Sequence, residues 1–241
     1  MRILHTSDWH LGRSFHREGM LDHQAAFVDH LLDVVESESV DVVVLAGDVY
    51  DRALPPVDAV AVADDAFARL AESRARVVIT SGNHDSAERL GFASRLIDAA
   101  GVHVRSRLSA VGQPVMISDA RGEVAFYGIP YLDPGSTQVA WGLAERSHEA
   151  AMRAALTRVR ADRAGRQPDL RTVVIAHAFV AGSAPSQSER DIAVGGVDRV
   201  PVDLFDGFDY VALGHLHRPQ EVRERVRYSG SLLKYSFDGA A

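Results

Sequence analysis

Short continuous apolar runs take turns along the chain with segments whose apolar residues recur at helical spacing, which predicts an alternation of strands and helices. Arg2 to Ser7 reads as a buried strand ending at Asp8. Over 22–38, Phe27, Leu31, Leu32 and Val35 recur at helical spacing, with Asp22 as the N-cap. Asp41 to Ala46 is a continuous run rich in β-branched residues that stops at Gly47. A second helix over 57–73 is approached through Pro55 and Pro56. Arg76 to Ser81 predicts a third strand ending at Gly82, and 86–99 a third helix. Residues 102–104, 109–118 and 123–129 read as shorter strands separated by turn residues, the beginning of a second sheet. A long helix is expected over 141–163. Strands follow at 171–176, closing on His177, and at 209–213, running into Gly214, with a Gly/Ser-rich loop between them. No repeat, linker or low-complexity tract interrupts this order, so a single α/β domain over 1–241 is expected.

Composition narrows the picture. With 241 residues, 46 % of them apolar, the chain can bury a sizeable core. It has no cysteine, so nothing indicates a disulfide framework or an oxidising compartment. Residues 1–30 lack a basic start followed by a long apolar stretch, and no run is long enough to span a membrane. Neither secretion nor membrane insertion is expected, which places the chain in the cytoplasm. The formal net charge of −7 excludes a surface coated in positive charge, although it counts carboxylates that bound cations would offset.

The chemistry lies in five short segments, each closing one of the apolar runs. They are Ser7-Asp8-Trp9-His10, Gly47-Asp48-Val49-Tyr50-Asp51-Arg52, Gly82-Asn83-His84-Asp85, Ala176-His177 and Gly214-His215-Leu216-His217. Asp8, His10, Asp48, Asn83, His177, His215 and His217 offer three oxygen donors and four imidazoles. That mixture suits a borderline first-row divalent ion better than a hard Mg²⁺ or Ca²⁺ cage, and no thiolate competes. A carboxylate shared between two arms of donors is what a two-metal hydrolase needs to clamp the attacking and departing oxygens of a phosphoryl displacement. All five segments sit just past the carboxyl ends of strands, where α/β sheets open their ligand crevices. A single Asp or His in such a loop is more often solvated or capping. Here five segments agree in order and placement. By contrast, His5 reads as a packed core histidine, and His23, His30, His103 and His148 as surface residues; His16, in the loop after the first motif, stays open.

This set of motifs resembles the calcineurin-like metallophosphoesterases. Within them, His5-Thr6-Ser7-Asp8-Trp9-His10-Leu11-Gly12 and Arg227-Tyr228-Ser229-Gly230-Ser231 are similar to the SbcD-type DNA nuclease subunits of SbcCD complexes. The likeness runs from Met1 to Asp238. Gly-Asp-x-x-Asp-Arg and Gly-Asn-His-Asp alone identify only the wider superfamily. The resemblance implies a four-layer αββα fold, a two-sheet β-sandwich flanked by helices. It implies one ion held by Asp8, His10 and His217, another by Asn83, His177 and His215, and Asp48 bridging them. Mn²⁺ is the expected metal, with Mg²⁺ as the other choice. His84 would contact the scissile phosphate and protonate the leaving 3′-oxygen, with Asp51 orienting and charging that imidazole. Arg52, Arg13 and Arg17 are the candidate contacts to the phosphate backbone.

The activity implied is a 3′→5′ exonuclease on duplex DNA and an endonuclease on single strands or hairpins, serving DNA repair and recombination with an SbcC-type ATPase. Another phosphoesterase of the superfamily, or a scaffold that has lost the reaction, are the other readings; the full ligand set and His84 speak against the last. The family's chain continues into a capping domain and ATPase-binding helices, which this chain is expected to lack. Homodimers are expected to form through 57–73 and 86–99, where Val60, Ala63 and Phe67, and Leu90 and Ile97, lie on single faces. The same faces could instead pack on the domain's own sheet.

Overall fold

The computed structural model describes residues 1–16, 18–184 and 199–235. The chain enters through strand β1 (Ile3–Thr6), makes a small antiparallel pair, β2 (Ser14–Phe15) and β3 (Glu18–Gly19), and turns into helix α1 (Leu21–Ser37). Strand β4 (Val42–Ala46), helix α2 (Val57–Glu72) and strand β5 (Arg76–Thr80) follow. Two single-turn helices, α3 (Ala87–Leu90) and α4 (Ser94–Ile97), then lead to strand β6 (Val102–Arg105). The second half comprises β7 (Val115–Asp119), β8 (Gly122–Ile129), α5 (Pro134–Trp141), α6 (His148–Ala164), β9 (Arg171–His177), β10 (Tyr210–Gly214), β11 (Gln220–Arg223) and β12 (Val226–Tyr228).

The strands form two main sheets. The first has the order β1-β4-β5-β6 and is parallel throughout. The second runs β11-β12-β10-β9-β8-β7, with a parallel centre and an antiparallel strand at each edge. Val42, Val44 and Val78 of the first sheet face Phe126, Val173, Ile175 and Ala212 of the second. The alternate residues of the same strands point outward. Val43, Leu45, Val77 and Ile79 pack under α1 and α2, through Val28, Leu31, Ala63 and Leu70. Tyr127, Val174 and Leu213 pack against Met152, Leu156 and Val159 of α6. Strands covered on both faces need apolar residues at every position, which is why β4 reads Val-Val-Val-Leu-Ala. The result is the expected helix–sheet–sheet–helix layering.

Several elements depart from the sequence expectation. The N-cap of α1 is Met20, and Asp22 falls inside the first turn, where its charge still suits the helix dipole. The helix expected over 86–99 is broken. Ser86 caps α3, but Gly91 ends it and Ala93 adopts a left-handed backbone (φ 57°) before α4 starts. Residues 102–105 join the first sheet as its edge strand beside β5, not the second. Within 109–118 the strand begins only at Val115. The helix expected over 141–163 is two helices. Asp133 caps α5, whose first residue is Pro134, and Gly142 (φ 64°) ends it; Ser147 caps α6. Trp141 therefore closes one helix and does not open the next. The hairpin β11–β12 has no counterpart in the sequence expectation. Among the described residues, no helix is long and apolar enough to cross a membrane.

Candidate metal centre

The two sheets pack face to face so that the carboxyl ends of β1, β4, β5, β9 and β10 meet, and each strand delivers its donors at its end or in the turn that follows. These turns are sharp. Asp8, His10, Asp48 and His215 have left-handed backbones, with φ of 53°, 47°, 52° and 105°. Non-glycine residues seldom tolerate this, and such strain persists only where surrounding bonds over-determine it. Here they do. Asp8 and His10 donate their backbone N–H groups to the carbonyls of Gly47 and Asp48, each at 3.0 Å. The His215 N–H reaches both carboxylate oxygens of Asp8 at 3.1 Å. Two glycines permit the close approach. A Cβ on Gly82 would collide with the backbone and carboxylate of Asp48, and one on Gly214 with the Ala46 carbonyl and the His177 ring.

The seven candidate ligands come together as two clusters with one residue between them. In the first, His10 Nε2 and His217 Nε2 are 3.0 Å apart, and Asp8 Oδ1 lies 4.0 Å from each. In the second, Asn83 Oδ1 is 3.0 Å from both His177 Nε2 and His215 Nδ1, which are 3.3 Å from each other. Asp48 Oδ2 sits between the clusters, 3.6 Å from His10 Nε2 and 3.4 Å from His177 Nε2. His177 Nδ1 donates to the Ala46 carbonyl at 2.8 Å, which fixes its orientation and turns Nε2 inward.

The electrostatics of this cluster suit a cation. Burial holds His10 well below an ordinary imidazole and lowers His215 and His217 to about 3, so all three keep a free lone pair at neutral pH. Burial pushes Asp8 up to about 7, against the attraction of His177. Burial also opposes ionisation of Asp48, but the charge and hydrogen bond of His177 outweigh it and hold this carboxyl far below the usual range. His177 is raised to about 9, because Asp48 more than offsets the cost of burying its charge. A proton on His177 thus balances Asp48 when no cation does, and a bound cation would displace it. Imidazoles, a carboxamide oxygen and buried carboxylates whose ligand atoms converge within a few ångströms of one another form a donor set that fits divalent metal ions.

Other predicted residues fall around this centre. The His84 ring stands edge-on to His10 at 4.8 Å, and its backbone N–H donates to Asp48 Oδ1 at 2.9 Å. Its Nδ1 donates to the main-chain carbonyl of Asp51 at 2.9 Å. The expected contact between the Asp51 carboxylate and that imidazole is therefore replaced by one through the peptide oxygen. The carboxylate itself faces His10 Nδ1 at 3.6 Å, Arg13 Nε at 3.8 Å and Arg52 Nε at 3.7 Å. Arg13 is largely enclosed, its guanidinium 4.6 Å from the Tyr235 ring centre, whereas Arg52 is 70 % exposed. Arg17 lies outside the described residues. His5 bridges the two sheets, with Nδ1 at 3.0 Å from the Tyr210 hydroxyl and Nε2 at 3.1 Å from the Leu213 carbonyl. His103, expected on the surface, is paired with Asp98 at 3.0 Å.

Sequence reasoning gave no role to Asp85, Gln24 or Tyr235. The Asp85 carboxylate accepts N–H groups from Gly82, Val49 and Tyr50 at 2.9, 3.1 and 2.9 Å, tying the loops after β4 and β5 together. Its position at the end of Gly-Asn-His-Asp was the available signal. Gln24 is fully buried and stands in register with Val28, Leu31 and Val35 on the inward face of α1. A polar residue inside an apolar stripe would have pointed to it.

A family model described as calcineurin-like phosphoesterase matches residues 1–219. The SbcD component of the SbcCD nuclease from Staphylococcus saprophyticus is 34 % identical over 240 residues, covering 98 % of this chain and 62 % of that protein. The chain thus spans less than two thirds of that relative's length. Among solved structures, the psychrophilic β-glucosidase BglU from Micrococcus antarcticus aligns over 75 % of this chain and 42 % of its own, with 10 % identity and a TM-score of 0.28. The virulence factor SghA, in complex with the substrate analogue salicin, aligns over 77 % and 45 %, with 14 % identity and a TM-score of 0.25. Scores this low carry no argument.

Proposed function

The chain belongs to the calcineurin-like phosphoesterase family, and we propose that it is the metal-dependent DNA nuclease subunit of an SbcCD-type complex, hydrolysing phosphodiester bonds with two divalent cations, Mn²⁺ before Mg²⁺. The observation that carries this reading is Asp48, whose one carboxylate oxygen lies within 3.6 Å of a ligand nitrogen in each cluster. Asp8, His10 and His217 would hold one ion and Asn83, His177 and His215 the other, with Asp48 shared. Bound ions would supply the charge that activates water and offsets the phosphoryl oxygens.

The remaining steps fall to the chain's own side chains. The Asp51 carbonyl holds His84 with its proton on Nδ1, which leaves Nε2 for the substrate. As water adds to phosphorus and the bond to the 3′-oxygen breaks, Nε2 of the protonated ring delivers a proton to that oxygen. Arg52 offers an exposed guanidinium for the phosphate backbone. The likeness to a nuclease subunit supports a nuclease reading; on that reading the expected activities are 3′→5′ exonuclease on duplex DNA and endonuclease on single strands or hairpins, with an SbcC-type ATPase as partner and a role in repair and recombination.

The test is the purified chain with Mn²⁺, offered duplex DNA, a DNA hairpin and p-nitrophenyl phosphate in parallel. Cleavage of either DNA is expected, abolished by chelation. Rapid turnover of the monoester with intact DNA would assign the centre to a phosphomonoesterase instead.

The reading extends to a second copy of the chain as partner. Ala63 and Leu90 are spent on the chain's own core, but Val57, Val60, Phe92 and Leu96 are 83, 43, 82 and 78 % exposed on α2, α4 and the turn before α4. Val60 and Phe92 line one cavity, and large exposed apolar side chains that share a region mark interaction surfaces. Light scattering should show a dimer; a monomer at every concentration would remove this part of the proposal.

A further inference from the structure

The first ligand cluster is walled by a residue outside the region matched to the family. That match ends at residue 219. Beyond it, β12 pairs with β10, and the chain then crosses from the second sheet back over the first motif. On the way Ser229 Oγ lies 2.8 Å from Ser7 Oγ, and the Ser231 N–H donates to the His217 carbonyl at 3.2 Å. The crossing ends at Tyr235, which is 6 % exposed. Its ring stands edge-on to His10 at 6.0 Å and inclined to His217 at 6.1 Å, against both imidazoles.

The hydroxyl of Tyr235 is anchored to the strained turn itself. It accepts from Gln24 Nε2 at 2.9 Å and donates to the Trp9 carbonyl at 3.3 Å. The same Gln24 carboxamide donates to the His10 carbonyl at 2.7 Å and accepts the Gly12 N–H at 3.0 Å. One buried amide therefore uses both its donors and its acceptor on the turn carrying Asp8 and His10 and on the tyrosine behind it. Arg13 covers the outer face of the Tyr235 ring and leans towards Asp51, so the tyrosine is fixed from both sides.

We propose that Tyr235, anchored by Gln24, is a positioning residue that fixes His10 and His217 for one metal ion and thereby sets the affinity of that ion alone. The proposal rests on the two-ion reading above. In the second cluster the comparable ring contact comes from a different residue, Tyr131, 6.3 Å from the His177 ring, so that cluster should not sense a change at Tyr235. Groups that orient a ligand from behind typically contribute about 10- to 100-fold in metal affinity.

The experiment titrates Mn²⁺ into the metal-free chain by calorimetry, for the unaltered protein and for Tyr235→Ala, Tyr235→Phe and Gln24→Ala. Two ions are expected on the unaltered chain. Tyr235→Ala should weaken one of them by about 10- to 100-fold and leave the other unchanged. Tyr235→Phe keeps the ring and loses the anchor, so it should weaken the same ion by less than about 10-fold. Excess Mn²⁺ should restore hydrolysis of bis-p-nitrophenyl phosphate by Tyr235→Ala, which a damaged fold would not allow. Where circular dichroism shows that the alanine variant has lost its fold, Tyr235→Leu fills the volume and replaces it. Unchanged affinities, or equal weakening of both ions, would overturn the proposal. Fewer than two ions on the unaltered chain would instead overturn the reading of the centre.

Discussion

Asp48→Ala is expected to remove both metal ions at once. Every other candidate ligand lies in one cluster, whereas Asp48 Oδ2 faces both, and Asp48 Oδ1 also accepts the His84 N–H. The substitution should weaken both ions by more than the roughly 100-fold that a change behind a ligand can cost, and it should release the loop that carries His84. Asp48→Asn is the sharper probe. Asparagine tolerates the left-handed backbone at this position, so loss of the charge can be read without relaxation of the turn. Elemental analysis after gel filtration checks the outcome, with Asn83→Ala as the control expected to lose a single ion. Two ions retained by Asp48→Ala would dismiss the bridging role.

His84→Ala should keep both ions and lose catalysis, by about 10²–10⁴-fold on DNA as general acid catalysis typically contributes. The leaving group sharpens this. A 3′-alkoxide is a strong base and needs a proton, which on the proposed reading His84 would deliver, whereas p-nitrophenolate departs readily without one. The variant should therefore be crippled on DNA and much less affected on bis-p-nitrophenyl phosphate. Parallel steady-state kinetics on the two substrates would decide the point. An equal loss on both would assign His84 to substrate binding, and loss of an ion would make it a ligand.

The parts of the molecule legible from sequence were those whose cause is local. A short run rich in β-branched residues, such as Val42-Val43-Val44-Leu45-Ala46, reads as a strand buried on both faces, and the glycine after it marks the turn that brings Asp48 to the centre. The convergence of the seven candidate donors was legible because each lies at or just past the end of a strand. Less local outcomes were not. Leu90 and Ile97 carry a helical period that Gly91 and the left-handed Ala93 interrupt. Residues 102–105 are near β7 in sequence, yet the core under α2 draws Val102 and Val104 to the first sheet. The start of α5 is written in Asp133-Pro134, a capping residue followed by a proline suited to the first turn, although the periodicity further along points to a later start. The direction of the Asp51 carboxylate follows from competition among Arg13, Arg52 and His10, which no spacing rule encodes. Gln24 and Tyr235 meet only because the chain after β12 crosses back to α1, a contact 211 positions apart.

Each candidate ion takes its donors from both halves of the sandwich. Asp8 and His10 on the first sheet share a cluster with His217 on the second; Asn83 on the first shares one with His177 and His215 on the second. At the opposite end, the ammonium group of Met1 meets Asp119 of β7 at 3.0 Å. The two sheets are thus fastened across their seam by charge at both ends, with the apolar layer between. Sheets packed face to face stand about 10 Å apart, so a slide of one over the other by a small fraction of that distance would pull both sets of donors open together. Metal occupancy is then a gauge of how the halves are aligned. A core substitution at Phe126 or Ile175, neither of which supplies a ligand, would register first as a loosened grip on the cations.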